Sequence, residues 1–352
     1  MSEHDEGKIA LEEHFYLPSF EAYGADGSAL DGADKAHNYD PQYFASVQKG
    51  LGDVRLRLED MDRCGIERMV LSLTQPGIQG IPDRAIAVDT AKRMNDELAD
   101  ILAAHPNRFV GFAAVALQDV RAAGDELERA ISQLGFKGAL INGYSNIGGM
   151  DTAQYLDEPP VWDFWARVEA LGVPIYLHPR SPLPSQRRVY EGYPVLADSP
   201  WGFGAETAVH TLRLILSGLF DRFPRLRIIL GHMGEGLPFL LPRVEHRLRH
   251  ASPEVRGRQL KPVTFYLREN FYLTTAGAFR TQALIDTLLE IGSDRVLFSV
   301  DSPYETAQEQ SDWFDSLPIS ETDRRKIGRV NALQLLGLSS PDAVMMAISG
   351  RR

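Results

Sequence analysis

Eight short apolar or β-branched runs, each followed by a longer segment of helical period, constrain this chain more than any other feature. The runs are residues 8–13, 68–73, 109–115, 138–141, 174–177, 227–230, 271–274 and 296–299. Their length and composition read as strands. The segments between them, among them 83–104, 120–134, 161–171, 206–219 and 281–291, carry apolar residues three and four apart, as crossover helices do. Repeated βα units make parallel strands, and eight such strands lose every open edge by closing into a ring. The expected fold is therefore a (β/α)8, or TIM, barrel of the α/β class. An open doubly wound sheet would need a glycine-rich phosphate loop after the first strand, and Glu12-Glu13-His14-Phe15 stands there instead.

The 352 residues exceed what such a barrel needs. The surplus is expected in long loops at about 22–42, 144–160 and 181–201 and in a C-terminal helical extension. All three loops follow strand C-termini, the face on which barrel enzymes keep their chemistry. No Pro/Gly/Ser-rich linker divides the chain, so residues 1–352 are expected to form a single domain. The formal charge of −11 repels phosphate backbones and anionic membrane surfaces, which argues against nucleic acid and membrane partners but allows a small acid bound in a locally positive pocket. The one cysteine, Cys64, excludes an internal disulfide and a thiolate-rich zinc site. Residues 1–6 are acidic and polar rather than signal-like, no apolar run reaches the roughly 18 residues of a membrane span, and a cytoplasmic location is expected.

Metal-ligand residue types fall at the strand ends. Glu12 and His14 stand two apart at the end of the first strand, where alternation sends both side chains to one side. His178 ends the fifth, His232 follows the sixth, and Asp301 ends the eighth. Each alone has an ordinary reading, as a hydrogen-bonded histidine or a capping aspartate. Together they converge on one barrel mouth, and buried charge of that kind is paired or metal-bound. Glu12, His14, His178 and Asp301 form a ligand set for one divalent cation; imidazole with carboxylate suits Zn2+, Mn2+ or Fe2+. His232 fits beside the cation, with Glu235 three residues on as the group that fixes its ring.

The segments Ala10-Leu11-Glu12-Glu13-His14-Phe15, Leu177-His178-Pro179-Arg180, Ile228 to Phe239 and Arg295 to Glu305 resemble those of the amidohydrolase-related decarboxylases of the ACMSD type. Within that group the similarity is to the γ-resorcylate (2,6-dihydroxybenzoate) and 2,3-dihydroxybenzoate decarboxylases. It runs from about Lys8 to Leu336 and takes in Leu71-Ser72-Leu73, Pro106-Asn107-Arg108-Phe109, Gly138 to Gly143 and Lys326-Ile327-Gly328. The resemblance implies a barrel of the metal-dependent hydrolase superfamily and the same four metal ligands, with Zn2+ or Mn2+ as the cofactor. It also implies Asp301, His232 and Glu235 as catalytic residues, and Asn142 and Arg243 as substrate-binding residues, Arg243 across a subunit contact in a homodimer or homotetramer. The reaction implied is reversible nonoxidative decarboxylation of an ortho-hydroxybenzoate, a carboxy-lyase activity on a small aromatic acid.

Ser302 stands where these relatives carry an aromatic residue, Tyr304 where Phe is usual and Ser181 where Asn is common, and the 22–42 loop is expanded. Those departures widen the pocket and favour a larger or alkylated hydroxybenzoate. A metal-dependent hydrolase of a lactone, ester or amide is the alternative on the same ligand set. A metal-stabilised binding protein without turnover is the non-enzymatic one.

Overall fold

The computed structural model describes residues 7–17 and 38–338. The expected loop at 22–42 falls mostly outside them. All eight expected strands are present: β1 (Lys8–Phe15), β2 (Ile66–Leu73), β3 (Phe109–Gly111), β4 (Ala139–Asn142), β5 (Ile175–His178), β6 (Ile228–Leu230), β7 (Phe271–Thr274) and β8 (Val296–Leu297). Every neighbouring pair is parallel, β1-β2-β3 in one run and β4-β5-β6-β7-β8 in another. Two parallel bridges, Ala113 to Ala139 and Glu13 to Ser302, join the runs end to end and close the barrel.

Two strands are shorter than their sequence patterns suggest, because side chains take over the ladder. Beyond Gly111, the Asn95 amide both donates to the Ala114 carbonyl at 2.9 Å and accepts its N–H at 2.8 Å. Beyond Leu297, the Thr275 hydroxyl accepts the Ser299 N–H at 2.9 Å and donates to the Ser299 carbonyl at 2.8 Å. The peptides are satisfied without a neighbouring strand.

The lumen is filled by Ile9, Leu11, Val70, Val110, Phe112, Leu140, Tyr176, Ile229 and Leu297, with Tyr272 packed against them. Ala332, Leu335 and Leu336 of the last described helix (Asn331–Leu336) join the same cluster and stopper the N-terminal end of the barrel. A larger layer of apolar side chains lies between strands and helices. The helix Arg84–Ala104 shows why: it starts where the Asp83 carboxylate accepts the Ile86 N–H, and it buries Ala87, Thr90, Ala91, Met94, Asn95 and Leu98, one stripe at helical spacing.

β1 departs from simple alternation in a way that places the site. Ala10 pairs with Met69 but Glu13 with Leu71, so β1 carries one residue more than β2 over that stretch. Ile9 and Leu11 point into the lumen, and the skip then lets Glu12 and His14 do so as well, while Glu13 turns outward to the Arg57 side.

Candidate metal centre

The skip in β1 and the end of β5 deliver the floor of the site. Glu12, His14 and His178 are buried at the C-terminal end of the barrel and offer ligand atoms within 4.8 Å of one another. Glu12 Oε1 lies 3.2 Å from His178 Nε2 and 3.8 Å from His14 Nε2. Asp301 and His232 complete the ring: His14 Nε2 to Asp301 Oδ1 is 3.2 Å, His232 Nε2 to Asp301 Oδ2 3.5 Å, and His232 Nε2 to Glu12 Oε1 3.7 Å. The side chains of Asp301 and His232 are 14% and 27% exposed, so the centre opens on their side.

Each of these groups is aimed by a neighbour. Asn142 Oδ1 accepts from His178 Nδ1 at 2.8 Å, which leaves Nε2 as the free lone pair. The Asn142 N–H in turn donates to Gln79 Oε1 at 3.2 Å. Tyr176, two residues before His178 and on the same face of β5, donates to Glu12 Oε2; the Thr274 hydroxyl lies 3.0 Å from the Tyr176 oxygen. Glu12 Oε1 is thereby turned to the centre. Glu235 Oε1 accepts from His232 Nδ1 at 2.8 Å. Tyr304 sets its ring edge-on to His14, with 5.6 Å between centroids, and its hydroxyl is 2.6 Å from that of Thr74.

The backbone pays for this arrangement: His232, Met233, Glu235 and Asp301 have φ of 50°, 55°, 56° and 77°, a region where non-glycine residues are strained and which recurs at functional sites. Close approach also requires glycine. A Cβ on Gly231 would stand 2.6 Å from Glu12 Oε2. One on Gly277 would stand 3.0 Å from His232 Cδ2 and 3.3 Å from Asp301 Oδ2.

The electrostatics call for a cation. Burial opposes ionisation of Glu12, but the imidazoles of His232, His14 and His178 hold its carboxyl well below the usual range. Burial likewise opposes a charged His14, yet Asp301 and Glu12 push it up to about 9, and Glu235 and Glu12 hold His232 well above its ordinary value. His178 is lowered by burial. Glu12 Oε1 and both ring nitrogens of His14 are buried without a hydrogen-bond partner among the described residues. A divalent ion at the centre would satisfy Glu12 Oε1 and His14 Nε2 and would supply positive charge, and a buried imidazole–carboxylate set without thiolate suits Mn2+ or Zn2+.

The structure thus brings together Glu12, His14, His178, His232, Glu235 and Asp301, with Asn142 directly behind His178. Arg243 stands apart, exposed on the helix Leu237–Arg249 that leaves the site. Sequence reasoning missed Tyr176, Thr274, Gln79 and Glu13. Only Tyr176 carried a signal: a tyrosine two before a ligand histidine shares its face, and a buried phenol needs a partner.

The amidohydrolase family profile matches residues 40–338. The γ-resorcylate decarboxylase of Rhizobium sp. (strain MTP-10005) is 49% identical over 334 residues, which cover 95% of this chain and 99% of that one. The crystal structure of 2,6-dihydroxybenzoate decarboxylase complexed with 2,6-dihydroxybenzoate matches with a TM-score of 0.88 and 49% identity, covering 95% of this chain and all of the other. The dihydroxybenzoic acid decarboxylase of Polaromonas sp. JS666, solved with bound manganese and the inhibitor 2-nitroresorcinol, matches with a TM-score of 0.88 and 46% identity over 96% of this chain and 99% of its own. A closed parallel barrel, a cation-ready cluster at its C-terminal mouth and similarity along nearly its whole length place this chain in the amidohydrolase family.

Proposed function

We propose that the protein is a metal-dependent carboxy-lyase that reversibly decarboxylates an ortho-hydroxybenzoate, with 2,6-dihydroxybenzoate or an alkylated relative as substrate. The observation that carries this reading is the buried Glu12-His14-His178 floor with Asp301 and His232 at its open rim, in a chain similar end to end to decarboxylases of such acids. Manganese in the Polaromonas relative favours Mn2+ here, with Zn2+ second. Glu12, His14, His178 and Asp301 would hold the cation, which would supply Lewis-acid stabilisation of the anionic substrate.

The chain's own residues orient the ring and move the proton. Asp301 at the rim passes a proton to the ring carbon that bears the carboxylate. The bond to the carboxyl carbon then breaks, its electron pair restores the aromatic ring, and carbon dioxide leaves. Asp301, left as carboxylate, regains a proton through His232, whose Nδ1 is engaged by Glu235 and whose Nε2 faces Asp301. Asn142 acts on the substrate through the His178 ring it fixes. Tyr304 and the Thr74 hydroxyl form a polar wall beside His14 and bear on ring substituents.

We further propose a homodimer or homotetramer, supported by the exposed apolar surface on the helix that carries Arg243, where Phe239 is 78% exposed and Leu240 44%. At a contact there, Arg243 would meet the anionic end of a bound acid. The free, buried Cys64 thiol suits a reducing cytoplasm. No helix among the described residues is long and apolar enough to cross a membrane.

The test is direct. Manganese-loaded protein is incubated with 2,6-dihydroxybenzoate and alkylated hydroxybenzoates, and ultraviolet absorbance and released carbon dioxide are followed. Stoichiometric carbon dioxide with the corresponding phenol is expected. Hydroxybenzoates left intact while an aryl lactone or ester is opened would replace this reading by the hydrolase.

A further inference from the structure

Glu13 is fully buried between two metal-ligand positions, yet it takes no part in the centre. Its Oε1 accepts the Val300 N–H at 3.0 Å and the Ser299 hydroxyl at 3.4 Å, and its Oε2 accepts the Ser302 N–H at 3.3 Å. Those two peptide groups flank Asp301. Between them the Asp301 N–H donates to the Glu12 carbonyl at 3.0 Å, and the His14 N–H donates to the Ser302 carbonyl at 2.8 Å. Three successive peptide N–H groups are therefore pinned to β1. Arg57, also buried, donates to the His14 carbonyl and places its charge beside Glu13.

The pinned stretch is the one that carries strain. Asp301 has φ of 77°, which an aspartate leaves for a relaxed conformation unless its surroundings forbid it. Glycine would adopt that angle freely but brings no carboxyl group. The register skip in β1 is what frees Glu13 for this: it turns Glu12 and His14 inward and Glu13 toward the β8 end.

We propose that Glu13 is a positioning residue, a two-pronged carboxyl clamp on the N–H groups of the residues either side of Asp301 that holds the Asp301 side chain facing the centre. The proposal rests on Asp301 as the proton carrier. A second glutamate beside the ligand glutamate then has a purpose of its own, which differs from metal binding.

Glu13→Gln keeps the size but offers one acceptor oxygen and sets an NH2 group against a peptide N–H. Because misplacement of a reacting group by about 1 Å costs on the order of 100-fold, kcat per bound metal should fall about 10- to 100-fold. KM and the metal stoichiometry should stay near those of the parent, since the floor ligands are untouched. Hydrogen exchange of the metal-free protein should speed up in the peptide containing Val300 to Ser302 and not across the rest of the barrel. In the Asp301→Asn background, Glu13→Gln should have no further effect on kcat, because it acts through the missing group.

A merely structural glutamate would lower the folded fraction and leave kcat per bound metal unchanged, and that result overturns the clamp. So does unaltered exchange at Val300 to Ser302, or a full additive loss in the double variant. Should Glu13→Gln not fold, Glu13→Asp keeps a carboxyl group with two acceptor oxygens but is one methylene short of both prongs; normal kcat per bound metal in that variant overturns the proposal equally. Full activity of Asp301→Asn alone would instead remove the proton-carrier reading beneath it.

Discussion

A buried imidazole ligates a cation only through the nitrogen that its neighbour leaves free, so Asn142 governs His178 as firmly as β5 does. Asn142→Ala should weaken metal binding about 10- to 100-fold with little change in fold, as measured by competition with a chromophoric chelator. Asp301→Asn tests the chemistry: turnover should fall by about 100-fold or more while the protein still binds metal through Glu12, His14 and His178, by metal analysis and steady-state kinetics together. A third residue sets pH behaviour away from the site. His210 accepts the Leu156 N–H at 3.0 Å and is fully buried, and burial lowers it from the ordinary 6.5 to about 3. Between those values the unfolded chain binds a proton that the folded one refuses. His210 therefore costs stability as pH falls from 6.5 toward 3, by at most about 1.4 kcal/mol per pH unit. Urea titrations of His210→Gln should show a flatter dependence than the parent across that window. At this scale the convergence of Glu12, His14, His178, His232 and Asp301 was legible, because imidazoles and carboxylates recurring at the same end of several strands must meet at one mouth. Glu13 was not, because only the skip in β1 reveals that it faces away from its neighbours. Tyr176 went unread because a strand tyrosine is commonly core.

Along the elements, strands and crossover helices announced themselves by period, and the helix Thr281–Ile291 spans just the segment that its pattern outlines. The ends of β3 and β8 did not, since a side-chain amide or hydroxyl that replaces a ladder partner leaves no trace in periodicity. Asn95 is the case that can be tested. It serves both polar groups of Ala114 and donates to Glu126 Oε1 at 2.7 Å, all out of water. Glu126 Oε1 keeps its bond from Arg129, but Asn95→Ala would orphan the Ala114 N–H and carbonyl and should lower unfolding stability by about 3 kcal/mol in urea melts, at about 1–3 kcal/mol for each buried unsatisfied group. Asn95→Asp should be little better, because it restores the acceptor for the Ala114 N–H but not the two donors.

For the whole molecule, the candidate centre gathers side chains from β1, β5 and beyond the end of β8, so an ion held there would tie together parts of the barrel far apart in sequence. Removing it should lower the midpoint of thermal unfolding along with activity, and both should return with Mn2+. An ion at 100 times its dissociation constant contributes about 2.7 kcal/mol to the folded state. Scanning calorimetry before and after chelation checks this. Barrel closure was legible in the count of eight strands; the stopper of Ala332, Leu335 and Leu336 was expected only as a C-terminal helix. A packed lumen has a consequence for access. Side chains fill the barrel from Ile9 to Leu297, so a small molecule enters and leaves the centre on the exposed side of His232 and Asp301. A product that has not yet departed stands where the next substrate must bind, and steady-state kinetics should show product inhibition competitive with substrate.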